Sequence, residues 1–207
     1  MANKMTSYGL NVQNRTTKNF DSMTARQMAA LFLIFGLVAV GLLAINIPPF
    51  QSPDEPAHFE RAAQVADGSL AGTRYSAVEP DGRRRQLQGG MVDPAIATAA
   101  APFTTLAFHA EARATRTQWA SGIRWSDKRD MMSFQTSSYP PLFYIPSAIG
   151  ILIGRTANMT VVQTLMLSRV LTGTTAVALT ARNSLALVLV WKEVLFRWPE
   201  EHSSDQD

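Results

Sequence analysis

The sequence predicts an all-α membrane protein with three to four transmembrane helices and a long, partly helical extracytoplasmic loop after the first. Three observations predict it. Between Arg26 and Asp54 lie 27 residues without a charge. Further apolar runs follow late in the chain, after Tyr139. The stretch between them is rich in Gly, Pro and Arg and has no long apolar run of its own. Bulk averages hide this clustering: 46% of residues are apolar and mean hydropathy is near zero. There is no cysteine, which excludes disulfides, thiol chemistry and Cys-based zinc sites. The net charge is only +3, and the arginines are scattered without interleaved aromatics, so no nucleic-acid surface is expected.

Residues 1–27 carry Lys4, Arg15, Lys18 and Arg26 against Asp21 alone and are too polar to bury a core. They are expected to be a disordered tail, and their basic excess beside an apolar run marks the cytoplasmic side. Residues 28–47 form a first span. Twenty helical residues reach about 30 Å, the thickness of a hydrocarbon core. A buried core helix fits that length poorly, and Ala44-Ile45-Asn46 is a poor cleavage site for a signal peptide, so an uncleaved anchor is expected. Pro48-Pro49 ends it.

Residues 48–138 form the loop. Ser52-Pro53-Asp54-Glu55 resembles a helix start, with Ser52 as N-cap, Pro53 in the first position and Glu55 completing a capping box. An amphipathic helix over 53–67, lying along the membrane surface and stopping at Gly68, is expected. The rest of the loop is expected to be irregular with short helices, among them an Ala-rich one capped at Asp93-Pro94. Arg83 to Arg85 are expected in a solvated turn, and His109 is expected to be structural. From Asp54 to Asp130 there are ten Lys and Arg and ten Asp and Glu, so the loop is neutral. Spans are then expected at 139–155, at 157–181 with Arg169 facing inward, and as a short candidate at 183–197, followed by a polar tail at 198–207.

Asp54, Glu55 and His58 are the one dense group of acids and imidazole. On a helix Asp54 and Glu55 lie four and three residues from His58, so both neighbour it. A carboxylate beside a low-dielectric surface can have its pKa moved toward that of a general base, and the trio could instead hold a divalent cation. Each residue also has a structural reading: Glu55 as cap partner, Asp54 favouring the positive end of the helix dipole, His58 hydrogen-bonded to Asp54. Tyr139-Pro140-Pro141-Leu142-Phe143-Tyr144 is either a rigid, interface-anchored helix entry or one wall of a site facing Asp54. Arg169 is either a partner for a carbonyl or acid or a phosphate ligand.

Pro49 to Phe59 after a first membrane helix, then Tyr139 to Tyr144, then Leu167-Ser168-Arg169-Val170-Leu171, resembles the bacterial membrane-protein family known as domain of unknown function 2142, over roughly residues 28–182. That family is similar in layout to the C-type membrane glycosyltransferases. The resemblance implies a multi-pass protein of a bacterial plasma (inner) membrane, with its N-terminus cytoplasmic. It implies transfer of a sugar from a polyprenyl-phosphate donor at the outer face. Asp54 or Glu55, with His58, would act as base or bind a metal, and Tyr139, Tyr144 and Arg169 would contact the substrate. After about Arg182 the sequence departs from the family, so a truncated or frame-shifted product is expected. The alternatives are a non-catalytic membrane assembly or transport component, in which the motif only caps a helix, and an inactive gene fragment.

Overall fold

The computed structural model describes residues 25–78, 81–106, 109 and 111–197. Of the tail expected at 1–27, residues 1–24 lie outside the described residues, as do the polar tail at 198–207 and Glu79 and Pro80, while Ala25, Arg26 and Gln27 are not tail but the first turn of a helix. The chain divides into two compact units, residues 1–37 with 176–207, and residues 38–175.

Helix α1 spans Ala25–Asn46. It forms because the run is uniformly apolar and free of proline, and it stops just before Pro48-Pro49, as proline requires. Helix α6 spans Val161–Arg197, 37 residues or roughly 55 Å. The first unit holds the beginning of α1 and the end of α6. There Gly36 admits Val177: a Cβ at Gly36 would stand 2.6 Å from a Val177 methyl.

The second unit contains the remaining elements. Helix α2 is Glu55–Ala66, strands β1 and β2 are Thr73–Val78 and Arg84–Val92, and helix α3 is Ala95–Ala100, continued by a 3-10 helix at Ala101–Leu106. A one-turn helix α4 (Arg116–Trp119), strand β3 (Asp130–Ser133) and two 3-10 turns at Gln135–Ser138 and Pro141–Tyr144 lead into helix α5, Ile145–Thr156. The core joins Phe50, Phe59, Ala62, Ala63, Ile96, Phe103, Ile151, Val161 and Leu165. Phe50 sits with its ring centroid 6.1 Å from those of both Phe59 and Phe103. Its φ of 60° is an unusual value for a bulky residue, and it turns the ring inward immediately after Pro48-Pro49.

Two helices among the described residues are long and apolar enough to cross a bilayer, Arg26–Asn46 and Val161–Ser184. The span expected at 139–155 is instead a proline-started turn followed by a 12-residue helix, about 18 Å long and so short of the hydrocarbon thickness. It packs antiparallel to the start of α6: Ser168 donates to the Ser147 carbonyl at 3.1 Å, and Gly150 and Gly154 fit against Ser168 and Thr164. The segments expected at 157–181 and 183–197 are one continuous helix. Arg182 and Asn183 are polar but neither breaks a helix, so the polarity that marks a boundary in the sequence does not make one.

The all-α expectation is also corrected. Residues 73–133 hold a three-stranded antiparallel sheet in the order β1-β2-β3. Thr73 pairs with Gly89 and Val78 with Arg84, while Gly89 also pairs with Ser133. Of the expected arginine turn only Arg83 belongs to the connection, where it pairs with Asp81 beside Gly82; Arg84 and Arg85 are in β2. The sheet escapes sequence reading because β1 is largely exposed: its alternation is confined to half-buried Tyr75 and Ala77, too short a pattern to mark a strand. Gly89 resembles a loop signal, yet it is needed for close approach: a Cβ there would lie 1.8 Å from the Met132 carbonyl oxygen of β3.

Helix α2 is corrected in its setting as well. Glu55, Phe59, Glu60, Arg61, Ala62, Ala63 and Gln64 are buried, so it is a core helix and not one laid on a surface. Arg61 is almost fully buried and donates to the carbonyls of Leu70 (2.8 Å) and Tyr139 (2.9 Å) and to Gln64 Oε1 (2.6 Å). It thereby fixes the Tyr139-Pro140-Pro141 corner onto α2. Asp93, also fully buried, accepts from the backbone of Ala95 (2.8 Å) and Ser126 (2.6 Å), starting α3 as expected and tying down the loop before β3.

Gly89→Ala is expected to destabilise the fold by roughly 2–4 kcal/mol through a backbone clash. Gly41→Ala, on an open face of α1, should be neutral or slightly stabilising. Thermal unfolding in detergent checks both, and equal midpoints for Gly89→Ala and the unaltered chain would contradict the register.

Candidate functional site

The site forms where α1 ends and α2 begins. Asp54 has φ 54° and stands at the N-cap of α2, with no side-chain capping bond. The expected cap, Ser52, only lends its backbone carbonyl to the Glu55 N–H at 3.1 Å. The capping box therefore does not form, because the left-handed turn at Asp54, a conformation aspartate tolerates, starts the helix two residues later.

Freed from the cap, Glu55 meets Arg169. Arg169 Nε reaches Glu55 Oε1 and Nη2 reaches Oε2, both at 2.6 Å, a bidentate pair. The same guanidinium donates to the carbonyls of Ile47 at 2.6 Å and Pro48 at 2.8 Å. These are carbonyls that the end of α1 leaves without helical partners. The pair is nearly buried, with side-chain exposures of 12% and 11%. Of the two sequence readings for Arg169, the geometry supplies the acid and carbonyl partners, and these occupy both edges of the guanidinium.

One turn on, His58 Nδ1 and the Tyr144 hydroxyl share a hydrogen bond of 2.8 Å, its direction set by the imidazole tautomer. The His58 ring stacks on Tyr144 with centroids 5.9 Å apart and lies 6.1 Å from that of Tyr139. The Tyr-Pro-Pro corner thus faces His58 and Glu55. His58 is hydrogen-bonded to Tyr144 and not to Asp54.

Two cavities meet at His58 and Tyr139. The first, about 520 Å³, is lined by Glu55, His58, Tyr139, Phe143, Tyr144 and Arg169, by Leu165 one turn before Arg169 on α6, and by Thr172 and Gly173 beyond it. Its exposed walls are mainly apolar and aromatic, and its polar groups are the Glu55–Arg169 pair, His58, the two tyrosine hydroxyls, Ser147, Ser168 and Thr172. The second, about 450 Å³, is more polar. Asp54, His58, Glu60 and Tyr139 line it, opposite the Ser133–Thr136 segment.

Glu60 is the residue that sequence reasoning missed. Burial pushes its pKa up to about 7, into the working range of a general base at neutral pH. Its position five residues after Glu55 carried no motif; only the packing of α2 against β2 and the Gln135–Ser138 turn buries it. At the far end of α2, burial pushes Asp67 up, but hydrogen bonds from Arg155 and Arg129 outweigh this and hold the carboxyl below its ordinary value. His109 is exposed and pairs with Glu111 at 3.2 Å, away from the site.

The trio Asp54, Glu55 and His58 does not converge on a point where a cation could bind. Arg169 takes both Glu55 oxygens and Tyr144 takes His58 Nδ1. Among the described residues no group of three His, Cys, Asp or Glu side chains could hold a metal ion.

The profile of the family described as predicted membrane protein, domain of unknown function 2142, matches residues 35–195. The chain belongs to that family. It is an integral membrane protein, and its two long apolar helices are the segments suited to the bilayer. The match runs past Arg182, where the sequence reading ended the resemblance, and takes in most of α6. A search of curated proteins and a search of solved structures each find no match.

Two outcomes are expected. Glu55→Gln and Arg169→Leu should each cost roughly 3–5 kcal/mol, because each leaves one buried charge or its acceptors unpaired, while the double substitution recovers much of the loss; a double-mutant cycle in detergent measures this. Glu60 has a folded pKa above its unfolded one, so the folded state holds the extra proton between about 4.5 and 7. Stability from this group is therefore full below 4.5 and is lost as pH rises through 7. Glu60→Gln should raise stability at pH 8 by up to roughly 3 kcal/mol, with the advantage vanishing near pH 4.5; melting curves against pH check it.

Proposed function

We propose that this integral membrane protein binds a polyprenyl-phosphate sugar and transfers the sugar to an acceptor hydroxyl at the membrane boundary, in the manner of C-type glycosyltransferases. The observation that carries the reading is the apolar, aromatic-walled cavity that follows α6 into its span and ends at His58, Tyr139, Tyr144 and the Glu55–Arg169 pair. Such a cavity suits a ligand with a long hydrocarbon tail and a polar head.

In this reading the tail lies along Phe143, Thr172 and Gly173, and the phosphate reaches His58 and the two tyrosine hydroxyls. The acceptor enters the polar cavity on the other side of His58. Asp54, which is exposed, is the base that takes the acceptor's proton, and buried Glu60 serves as its neighbour or alternate. As the glycosyl–oxygen bond breaks, the departing phosphate gains charge, which His58 stabilises. Glu55 and Arg169 position the ends of α1 and α2 and so hold Asp54 and His58 in place. The outer face of a bacterial plasma membrane and a cytoplasmic N-terminus belong to the same proposal.

A second reading has its own observation. Glu55 and Arg169 satisfy each other, so the motif could serve assembly or transport as a structural joint without chemistry. Titrating the detergent-solubilised full chain with polyprenyl phosphate and, in parallel, polyprenyl alcohol separates the readings, followed by native mass spectrometry. The transferase reading expects saturable one-to-one binding of the phosphate, at least ~10-fold tighter than the alcohol and weakened ~5-fold or more by His58→Ala. Equal affinity for both, or no binding, favours the structural joint.

A further inference from the structure

Residues 131–154 contain no charged side chain, the longest such stretch after Asp54 and before α6. Along it runs an exposed apolar stripe: Leu142 is 68% exposed and Phe143 72%, and Ile145, Ile149, Leu152 and Ile153 are each exposed by more than 40%. The last four are spaced as one face of α5. Soluble surfaces rarely show a contiguous apolar patch of this kind.

The packing gives this stripe a level. Arg169 is bonded to the carbonyls of Ile47 and Pro48, at the end of α1. Gly173 lies four residues further along α6, roughly 6 Å deeper along its axis, and packs on Val40 of α1. Phe143 lines the same cavity as Thr172 and Gly173. The Pro141–Tyr144 turn therefore sits beside the spanning portions of α1 and α6, below the level at which α1 ends. From there α5 runs back alongside α6 to Arg155, whose ion pair with Asp67 marks a polar level.

We propose that the Pro141–Tyr144 turn and the first turns of α5 are immersed in the leaflet that holds the Asn46 end of α1, with acyl chains covering Leu142, Phe143, Ile145 and Ile149. The partner is the bilayer itself, and the argument is continuity. Val38, Leu42, Leu43 and Ile45 of α1 and Val170 of α6 are exposed apolar residues at the same levels. Tyr139, half exposed at the start of the stripe, suits the headgroup region, as interfacial tyrosines do. The two prolines supply a rigid bend with few N–H groups to strand in hydrocarbon. One consequence is that the mouth of the larger cavity beside Phe143 opens toward lipid and not toward water. This placement stands whether or not the protein transfers sugar.

The chain lacks cysteine, so single labels can be placed cleanly. Leu142→Cys, Phe143→Cys and Ile149→Cys, with Lys128→Cys as an aqueous control, would each carry a nitroxide in the full chain reconstituted into phosphatidylcholine–phosphatidylglycerol vesicles. Power saturation with oxygen and with a water-soluble nickel chelate reads the depth. Labels at 142 and 143 are expected to meet oxygen in preference to nickel, at roughly 5–10 Å below the interface, with 149 shallower. Nickel accessibility at 142 and 143 equal to that at 128 would overturn the proposal. So would low accessibility to both reagents, which would mean that protein and not lipid covers the stripe.

Discussion

The structure depends on one guanidinium. Arg169 lies in a helix apolar enough to span a membrane, where an unpaired charge is costly. It is tolerated because acceptors surround it, chiefly both oxygens of Glu55 and the carbonyls of Ile47 and Pro48. Those carbonyls belong to the end of α1, and Glu55 opens α2. A single side chain therefore joins the end of one candidate span, the start of the core helix and the second candidate span, and each of the three removes part of the others' desolvation penalty.

The arrangement sorts the chemistry-bearing residues. Spending Glu55 on Arg169 leaves Asp54 outside the pair, in a left-handed turn that keeps its carboxylate off the helix cap. His58 is drawn to Tyr144 across the tight corner that Arg61 holds in place through the Tyr139 carbonyl. The result is two cavities separated by His58 and Tyr139, one apolar and continuing along α6, the other polar and holding Asp54 and Glu60.

Arg61 shows how the same economy works away from the candidate chemistry. It is buried against carbonyls and an amide and has no carboxylate partner among its contacts. Carbonyl dipoles converge on it from both ends of the segment between α2 and the Tyr-Pro-Pro corner. Those loops are thereby closed without disulfides, which a chain with no cysteine cannot make.

Several features were legible from residue order alone. The uncharged run before Asp54 marks a segment long enough to span, and the prolines within it mark where α1 ends, because proline and hydrocarbon thickness act locally. The Pro-Asp-Glu-Pro-Ala-His and Tyr-Pro-Pro-Leu-Phe-Tyr segments identify the family, which the profile match shows. Tertiary structure decided the rest. Contacts far apart in sequence made Glu55 a partner of Arg169 and not a cap, paired His58 with Tyr144, buried Glu60, turned glycine-rich residues into β2, and placed α5 against α6 and not across a bilayer. The physical reason is range. Helix ends and membrane length are set by neighbouring residues, whereas the fate of a charge or a glycine is set by whichever distant groups come within a few ångströms of it once the chain has folded.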